Sequence, residues 1–306
     1  MIIPVFNASN FLEKSIRSAL LQQEVMEILV VDDGSTDNSF AIAHQIAQEF
    51  DRVKIFQHNN GINKGRSASR NLGIKNARCD YIAFLDADDY YLKNRFVEDA
   101  KVFSQNRDCV AVYNAVGFDY LIDYNDKVDG LYTVREKVDP EDLFLGLLDG
   151  KFGHFQIDGF TIKKEVLIKA GFFNENLKVA EDSDFFWKIV LSGKVYGGLI
   201  DAPVAIRVVH NNNIFYQKDI YKVYNYKMYE SMLLWCAKNS IDIKIIDRIL
   251  RRIWIIKHSE NVSLIKEVRY WMFTSLIHKR ILYSYLLIKY FPFVRRRKDF
   301  FGFLSR

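Results

Sequence analysis

Along the first half of the chain, short continuous apolar runs alternate with stretches whose apolar positions recur every three to four residues. The runs at residues 1–6, 27–31, 53–57 and 81–85 predict strands. Between them, Ile16, Leu20 and Leu21 predict one face of a helix opened by Asn10, with Glu13 at the spacing of a capping box. Phe40, Ile42, Ala43, Ile46 and Phe50 predict a second helix over 37–50, and Ala68, Leu72 and Ile74 a third, entered through a loop with Gly61 and Gly65. Strands apolar on both faces, joined by helical crossovers, imply a mostly parallel, Rossmann-like α/β sheet flanked by helices.

Beyond residue 110 the pattern is mixed. Segments 110–116, 131–134 and 194–209 predict strands, Asp139-Pro140-Glu141 an N-cap with Pro at the first helical position, and 181–191 a helix. From about 220 the spacing is helical to the end, as in Ile241, Ile245, Ile249, Ile253 and Ile256. A boundary near 215 divides a first domain from a helical C-terminal region, 216–306. With 306 residues, 49% hydrophobic and only 4 Pro, the composition excludes a disordered or low-complexity chain. No stretch reaches the roughly 18 uninterrupted apolar residues of a spanning helix, and Met1-Ile2-Ile3-Pro4 predicts no cleaved signal. Cys79, Cys109 and Cys236 are widely spaced and odd in number, which predicts buried thiols of a reducing compartment rather than disulfides or a zinc site.

In an open parallel sheet, ligands bind beyond the carboxyl ends of the strands. Three predicted strands end in Pro4-Val5-Phe6-Asn7, Asp32-Asp33-Gly34-Ser35-Thr36-Asp37 and Asp86-Ala87-Asp88-Asp89. Phe6 can stack on a base and Asp33 can accept from a base N–H, although Asp-Gly-Ser-Thr-Asp equally suits a turn with a helix cap. Side-chain alternation points Asp86 and Asp88 to the same side, an arrangement that suits a hard divalent ion completed by phosphate oxygens and water. Asp89 alone would suit the cap of a following helix. Glu181-Asp182-Ser183-Asp184 begins another helix, and a carboxylate there can serve as general base toward a sugar hydroxyl.

Taken in order, Pro4 to Asn7, ILVVDDGSTDN (28–38), NKGRSASRNLGI (63–74), YIAFLDADD (81–89) and Glu181-Asp182 closely resemble family 2 glycosyltransferases of the GT-A fold, over roughly residues 1–215. The resemblance implies a nucleotide-sugar half at about 1–116 and an acceptor half at about 117–215. It implies that Pro4, Phe6 and Asp33 hold the base, that Asp86 lies near the ribose and that Asp88 binds Mn2+ or Mg2+. It also implies that Asp182 is the catalytic base and that His210 reaches the metal or diphosphate. Lys64 and Arg66 fall in a loop where a cation can meet the diphosphate, or simply be solvated. The reaction implied is inverting transfer from a nucleotide-sugar donor, with UDP the commonest, to a glycan or lipid-linked oligosaccharide acceptor of a bacterial surface polysaccharide. Two features depart from the pattern. Trp187-Lys188 stands where relatives often place Arg, and none of Trp187, Trp235, Trp254 or Trp271 follows an Arg, so the QxxRW of processive synthases is missing and one sugar is expected per encounter. A nucleotidyltransferase would need a Gly-rich basic loop after the first strand, which Pro4-Val5-Phe6-Asn7-Ala8 is not. A silent sugar-nucleotide-binding or scaffolding subunit would have no need of Asp88 or Asp182.

Charge is unevenly spread. The whole chain carries +5, yet residues 279–306 hold eight Lys or Arg against the single acid Asp299, leaving the rest slightly acidic. The same segment holds eight aromatic residues, from Tyr283 to Phe303. A basic aromatic stretch suits an anionic membrane surface, and the expected location is therefore cytoplasmic, peripheral at the inner face of the cytoplasmic membrane. Packing of Leu286, Tyr290 and their neighbours on the protein, or in a homo-oligomer through the C-terminal helices, is the alternative. Nucleic acid is not expected as a partner, since nothing basic surrounds the carboxylates.

Overall fold

This computed structural model describes residues 1–122, 130–211, 213, 218–258 and 263–295. The chain divides into two compact units, Met1–Lys218 and Asp219–Arg306.

The first unit opens with β1 (Ile2–Val5), α1 (Leu12–Leu20), β2 (Ile28–Asp32), α2 (Ser39–Glu49), β3 (Val53–Gln57), α3 (Arg66–Asn76) and β4 (Tyr81–Ala83). It continues with β5 (Tyr90–Tyr91), α4 (Val97–Gln105), β6 (Cys109–Tyr113), β7 (Ala115–Tyr120), α5 (Pro140–Asp149), β8 (Phe160–Lys163), α6 (Leu167–Ala170), α7 (Glu181–Val190), β9 (Lys194–Gly197) and β10 (Pro203–Val209). β1, β2 and β3 are parallel, with Ile3 opposite Val30 and Val30 opposite Ile55. Just past β4 the chain pairs with β1 in parallel, Ile2 opposite Phe84, and the Leu85 amide donates to the Ile2 carbonyl. β8 is antiparallel to both β4 and β6, and β6 is parallel to β9. The sheet thus reads β3-β2-β1-β4-β8-β6-β9 and is mostly parallel. A smaller sheet, β5-β10-β7, stands apart.

β1 and β2 are buried at every position, as expected of strands covered on both faces. Ile3, Val5, Val30, Leu12 and Ile16 belong to one core, which extends to Leu85 and Val116. Between β4 and α7 lies an aromatic core in which Phe173 and Phe185 stack at 3.8 Å and both meet the edge of Phe84.

Several predicted details differ. Asn10 does not cap α1. The helix starts after Phe11 without a side-chain cap, because the Phe11 and Leu12 amides both donate to the Ala8 carbonyl and form a lead-in turn. Leu21 is 81% exposed and follows the helix rather than sharing its apolar face. Residues 131–134 form isolated bridges, Val116–Tyr132 and Val134–Gly153, instead of a strand. The runs at 110–116 and 194–209 each break into two strands that join different sheets. Asp89 precedes β5 and caps no helix; its Oδ1 accepts from the Val208 amide at 2.7 Å. The Asp139 cap with Pro140 is as expected, with Asp139 accepting from the Glu141 amide at 2.9 Å.

The second unit holds α8 (Lys218–Lys238), α9 (Ile243–His258), α10 (Leu264–Leu276), α11 (Tyr285–Tyr290) and α12 (Pro292–Arg295). Met232, Leu233, Cys236, Ile246, Ile249, Leu250, Ile253 and Trp271 form its interior. Tyr290 stacks on Trp254 at 4.6 Å, and Tyr270 donates to Glu230 at 2.6 Å. Among the described residues no helix is long and apolar enough to cross a membrane.

Candidate active site

At the carboxyl ends of β1 and β2 the first two loops are sewn together. Asn7, in the left-handed region at φ 50°, donates its amide to Ser35 Oγ and accepts from the Thr36 amide through Oδ1 at 2.8 Å. The Ala8 amide donates to Ser39 Oγ, and the Ser9 amide to Asp37 Oδ2. Burial alone would raise the Asp37 carboxyl, but hydrogen bonds from Ser39 and Ser9 hold it down at about 2. Asp37 is therefore a fixed anion of the scaffold, while Phe6, 52% exposed, stands clear of these contacts. Gly34 sits at φ +75° with the Gly61 carbonyl only 2.4 Å from where a Cβ would lie, so no other residue lets these two loops meet.

That meeting positions Asp33. Its Oδ1 accepts from the Lys64 amide at 2.7 Å and its Oδ2 from the Gly65 amide at 2.8 Å. Asp33 organises the loop entering α3; His58 Nε2 lies 3.5 Å from its Oδ1, and Oδ2 keeps a second lone pair for a further donor.

At the end of β4 the four residues 86–89 sort by burial. Asp89 is buried beside Asp158, and the three carboxylates of Asp86, Asp89 and Asp158 offer oxygens within 4.8 Å of one another. Burial, then the neighbouring Asp86 charge, pushes the Asp158 carboxyl up to about 6. Burial and Asp158 likewise raise Asp89. Two hydrogen-bonded buried carboxyls must share a proton. The pair is a structural prop: Asp158 Oδ1 accepts the Asp86 amide at 2.8 Å, and Oδ2 accepts from Gln156 at 2.6 Å.

Asp86 and Asp88 remain half-buried and face a common cleft. Arg70, itself buried, donates to Asp86 Oδ1 at 2.6 Å and to Glu181 Oε1 at 3.0 Å. Burial pushes the Asp86 carboxyl up, but Arg70, with Arg66 and Arg207, holds it below its ordinary value. Asp88 Oδ2 instead accepts from His210 Nε2 at 2.9 Å and from Asn213 at 3.1 Å, and the His210 ring stacks on Phe11 at 4.7 Å. With the His210 proton on Nδ1, Asp88 Oδ2 and His210 Nε2, both partly buried and oriented by neighbours, form a donor set that fits Mn2+ or Mg2+ with its other positions left to phosphate and water. The Asp86, Asp89 and Asp158 oxygens form a second, more deeply buried group of carboxylates at a spacing that suits a cation.

The cleft occupies about 690 Å³. It brings together Pro4, Phe6, Asp33, Lys64, Asp86, Asp88 and His210, seven of the residues expected at the site. Lys64 is exposed on its rim. Arg66 is committed, bonded to Glu181 Oε1 at 3.0 Å and to the Lys178 carbonyl at 3.2 Å. Asp182 does not line this cleft. It sits half-buried at the start of α7, accepting from the Ser183 amide at 2.7 Å, one residue from the buried Glu181 that both arginines hold.

Sequence reasoning missed Asp158, Arg70 and Arg207. Arg207 also lines the cleft and lies amid the Asp86, Asp89 and Asp158 charges, which raise its pKa against the effect of burial. A lone arginine inside the apolar strand Val204–Val209 was its one legible signal.

Such a cleft, beyond parallel strand ends and walled by an aromatic ring and carboxylates, lies where open α/β sheets bind their ligands. The family model "Glycosyl transferase family 2" matches residues 1–169, so the chain belongs to glycosyltransferase family 2. It is 30% identical over 215 residues to the minor teichoic acid biosynthesis protein GgaA of Bacillus subtilis, covering 68% of this chain and 46% of that one. It is 33% identical over 187 residues to an uncharacterized glycosyltransferase of Haemophilus influenzae, covering 61% of this chain and 69% of the relative. The chain thus spans about half the length of the Bacillus relative. Among solved structures, residues 1–349 of Staphylococcus aureus TarS in complex with UDP-GlcNAc superpose with TM-score 0.63 at 17% identity, over 97% of this chain and 90% of that fragment. A mannosyltransferase of Pyrobaculum calidifontis in complex with GDP-Man and Mn2+ gives 0.54 at 14% identity, over 98% and 86%. These two show the fold, which is GT-A.

Proposed function

We propose that the chain catalyses inverting, metal-dependent, non-processive transfer of one sugar from a nucleotide sugar, in the first instance a UDP-sugar, to a hydroxyl of a glycan or lipid-linked acceptor in envelope polysaccharide synthesis. The observation that carries this reading is the single cleft in which Phe6, Asp33, Asp86 and the Asp88–His210 pair converge. The UDP-GlcNAc bound by TarS and the teichoic acid role in the name of the Bacillus relative favour the donor and the setting.

Phe6 stacks on the base, Pro4 and Asp33 border it, and Asp86 faces the ribose. Bound at Asp88 and His210, Mn2+ or Mg2+ would supply Lewis-acid stabilisation of the leaving diphosphate. Asp182, beside the arginine-held Glu181, accepts the acceptor hydroxyl's proton. The acceptor oxygen forms its bond to the anomeric carbon from the face opposite the nucleotide. The bond to the diphosphate oxygen breaks with its electron pair, so one displacement inverts the centre without a glycosyl-enzyme intermediate. The basic aromatic segment 279–306 supports a working position at the anionic inner face of the cytoplasmic membrane, where lipid-linked acceptors reside.

A thermal-shift panel of UDP-, GDP- and dTDP-sugars with Mn2+, followed by nucleotide-release assays with and without acceptor fractions, tests the reading. Stabilisation by one donor and acceptor-dependent release are expected. Donor binding without turnover across a broad acceptor panel would favour the silent subunit.

A further inference from the structure

Resting on that peripheral-membrane reading, the geometry points to one particular lipid-entering element: the outer face of α10 together with the turn that follows it. The basic tail contributes attraction only.

Along α10, Ile265, Met272, Phe273 and Leu276 are exposed to between 52% and 80%, whereas Glu267, Trp271 and Thr274 on the opposite side are buried. Their three-to-four spacing sets the exposed four in one stripe. The turn Lys279–Tyr283 packs back on α10 and adds Tyr283, and Tyr285 opens α11, 79% and 68% exposed. This exposure is not a failure to build a core. In the same unit Trp271 is fully buried and Tyr290 stacks on Trp254.

Charge decides the occupant. Lys266 and Arg269 are exposed on α10, Lys279 and Lys289 flank the tyrosines, and the one acid among residues 263–295, Glu267, is turned inward. Two copies meeting through this face would bring like charges together, and the nearby half-buried Asp247 is already engaged by Ser284 and the Leu286 amide. An anionic bilayer meets both needs, taking the apolar side chains between its headgroups and pairing the cations with phosphates. Exposed tyrosines beside lysines suit that boundary, with the ring in the apolar layer and the hydroxyl in water.

The full chain is to be sedimented with vesicles of phosphatidylcholine alone and of phosphatidylcholine with an equal part of phosphatidylglycerol. The wild type is compared with Phe273→Glu/Leu276→Glu and with a tail in which Arg295, Arg296, Arg297 and Lys298 become Gln. The wild type is expected on phosphatidylglycerol vesicles only. The double α10 variant is expected to lose about tenfold or more in affinity while keeping its melting temperature. The tail variant should still bind at low salt. If the α10 variant binds like wild type and the tail variant does not, the membrane reading stands and this inference fails. If the wild type ignores phosphatidylglycerol, both fail. A wild-type dimer in light scattering that the α10 variant dissolves would make the face a self-interface and overturn the inference.

Discussion

The two acidic segments of the first unit, Asp86 to Asp89 and Glu181 to Asp184, look alike as sequence and are treated alike by the fold. In each, two carboxylates are locked into the scaffold. Asp86 is held by Arg70 and Asp89 by the Val208 amide, while Glu181 is held by Arg66 and Arg70 and Asp184 by Lys188 at 2.5 Å. The remaining member of each, Asp88 or Asp182, forms no ion pair with an arginine or lysine among the described residues and is half-buried. In the proposed mechanism the chemistry falls to the member of each segment that has no arginine or lysine partner. The restrained ones fix where it points, and Arg70 ties the two segments to each other.

Changing the unrestrained member of the second segment should have the largest effect. Asp182→Asn is expected to lower kcat by about 10²- to 10⁴-fold, the usual worth of a general base, with donor affinity by calorimetry nearly unchanged. Near-normal turnover would remove Asp182 from its role. Cutting the tie comes next. Arg70→Met leaves the half-buried Asp86 without its ion-pair partner and the buried Glu181 with Arg66 alone, and its urea unfolding curve should show a loss of about 3 kcal/mol. An unchanged midpoint would mean that the segments are positioned independently. Smaller again, His210→Ala should raise the Mn2+ concentration for half-maximal activity about 10- to 100-fold without lowering the saturated rate to the Asp182→Asn level.

The smallest effect concerns the prop under Asp86. Asp158 titrates at about 6 in the folded protein, above an ordinary carboxyl near 3.8. Between those values the folded state holds more protons than the unfolded one, so this group's contribution is complete below pH 4 and is lost as pH rises through 6. Asp158→Asn should flatten the fall in stability between pH 4 and 7 in chemical denaturation. A wild-type slope in the variant would mean that the pair does not share a proton.

Much of this arrangement was legible in the sequence because strand ends are marked by where apolar runs stop. Asp33, Asp86 and Asp88 each follow such a stop, Pro4 and Phe6 lie at the end of the first run, and the fold brings all five to one cleft with His210. Arg70 and Asp158 were not legible. Arg70 lies in the middle of α3 and reads as an ordinary helix cation, and its partners are 16 and 111 residues away. Asp158 precedes β8, whose antiparallel insertion between β4 and β6 no local pattern announces. The split of 194–209 into strands of different sheets was hidden for the same reason, since periodicity records burial and not the neighbour that provides it. In the C-terminal unit the reverse held. The basic aromatic composition was plain, but which aromatics are packed, such as Tyr290, and which are exposed, such as Tyr283, needed the fold.

The division of labour proposed for Asp88 and Asp182 is tested most directly by calorimetric titration of UDP, with and without Mn2+, into wild type, Asp88→Asn and Asp182→Asn. Wild type and Asp182→Asn should bind UDP more tightly with Mn2+, and Asp88→Asn should show no such gain. Equal metal dependence in Asp88→Asn and wild type would contradict the assignment of the diphosphate end of the cleft.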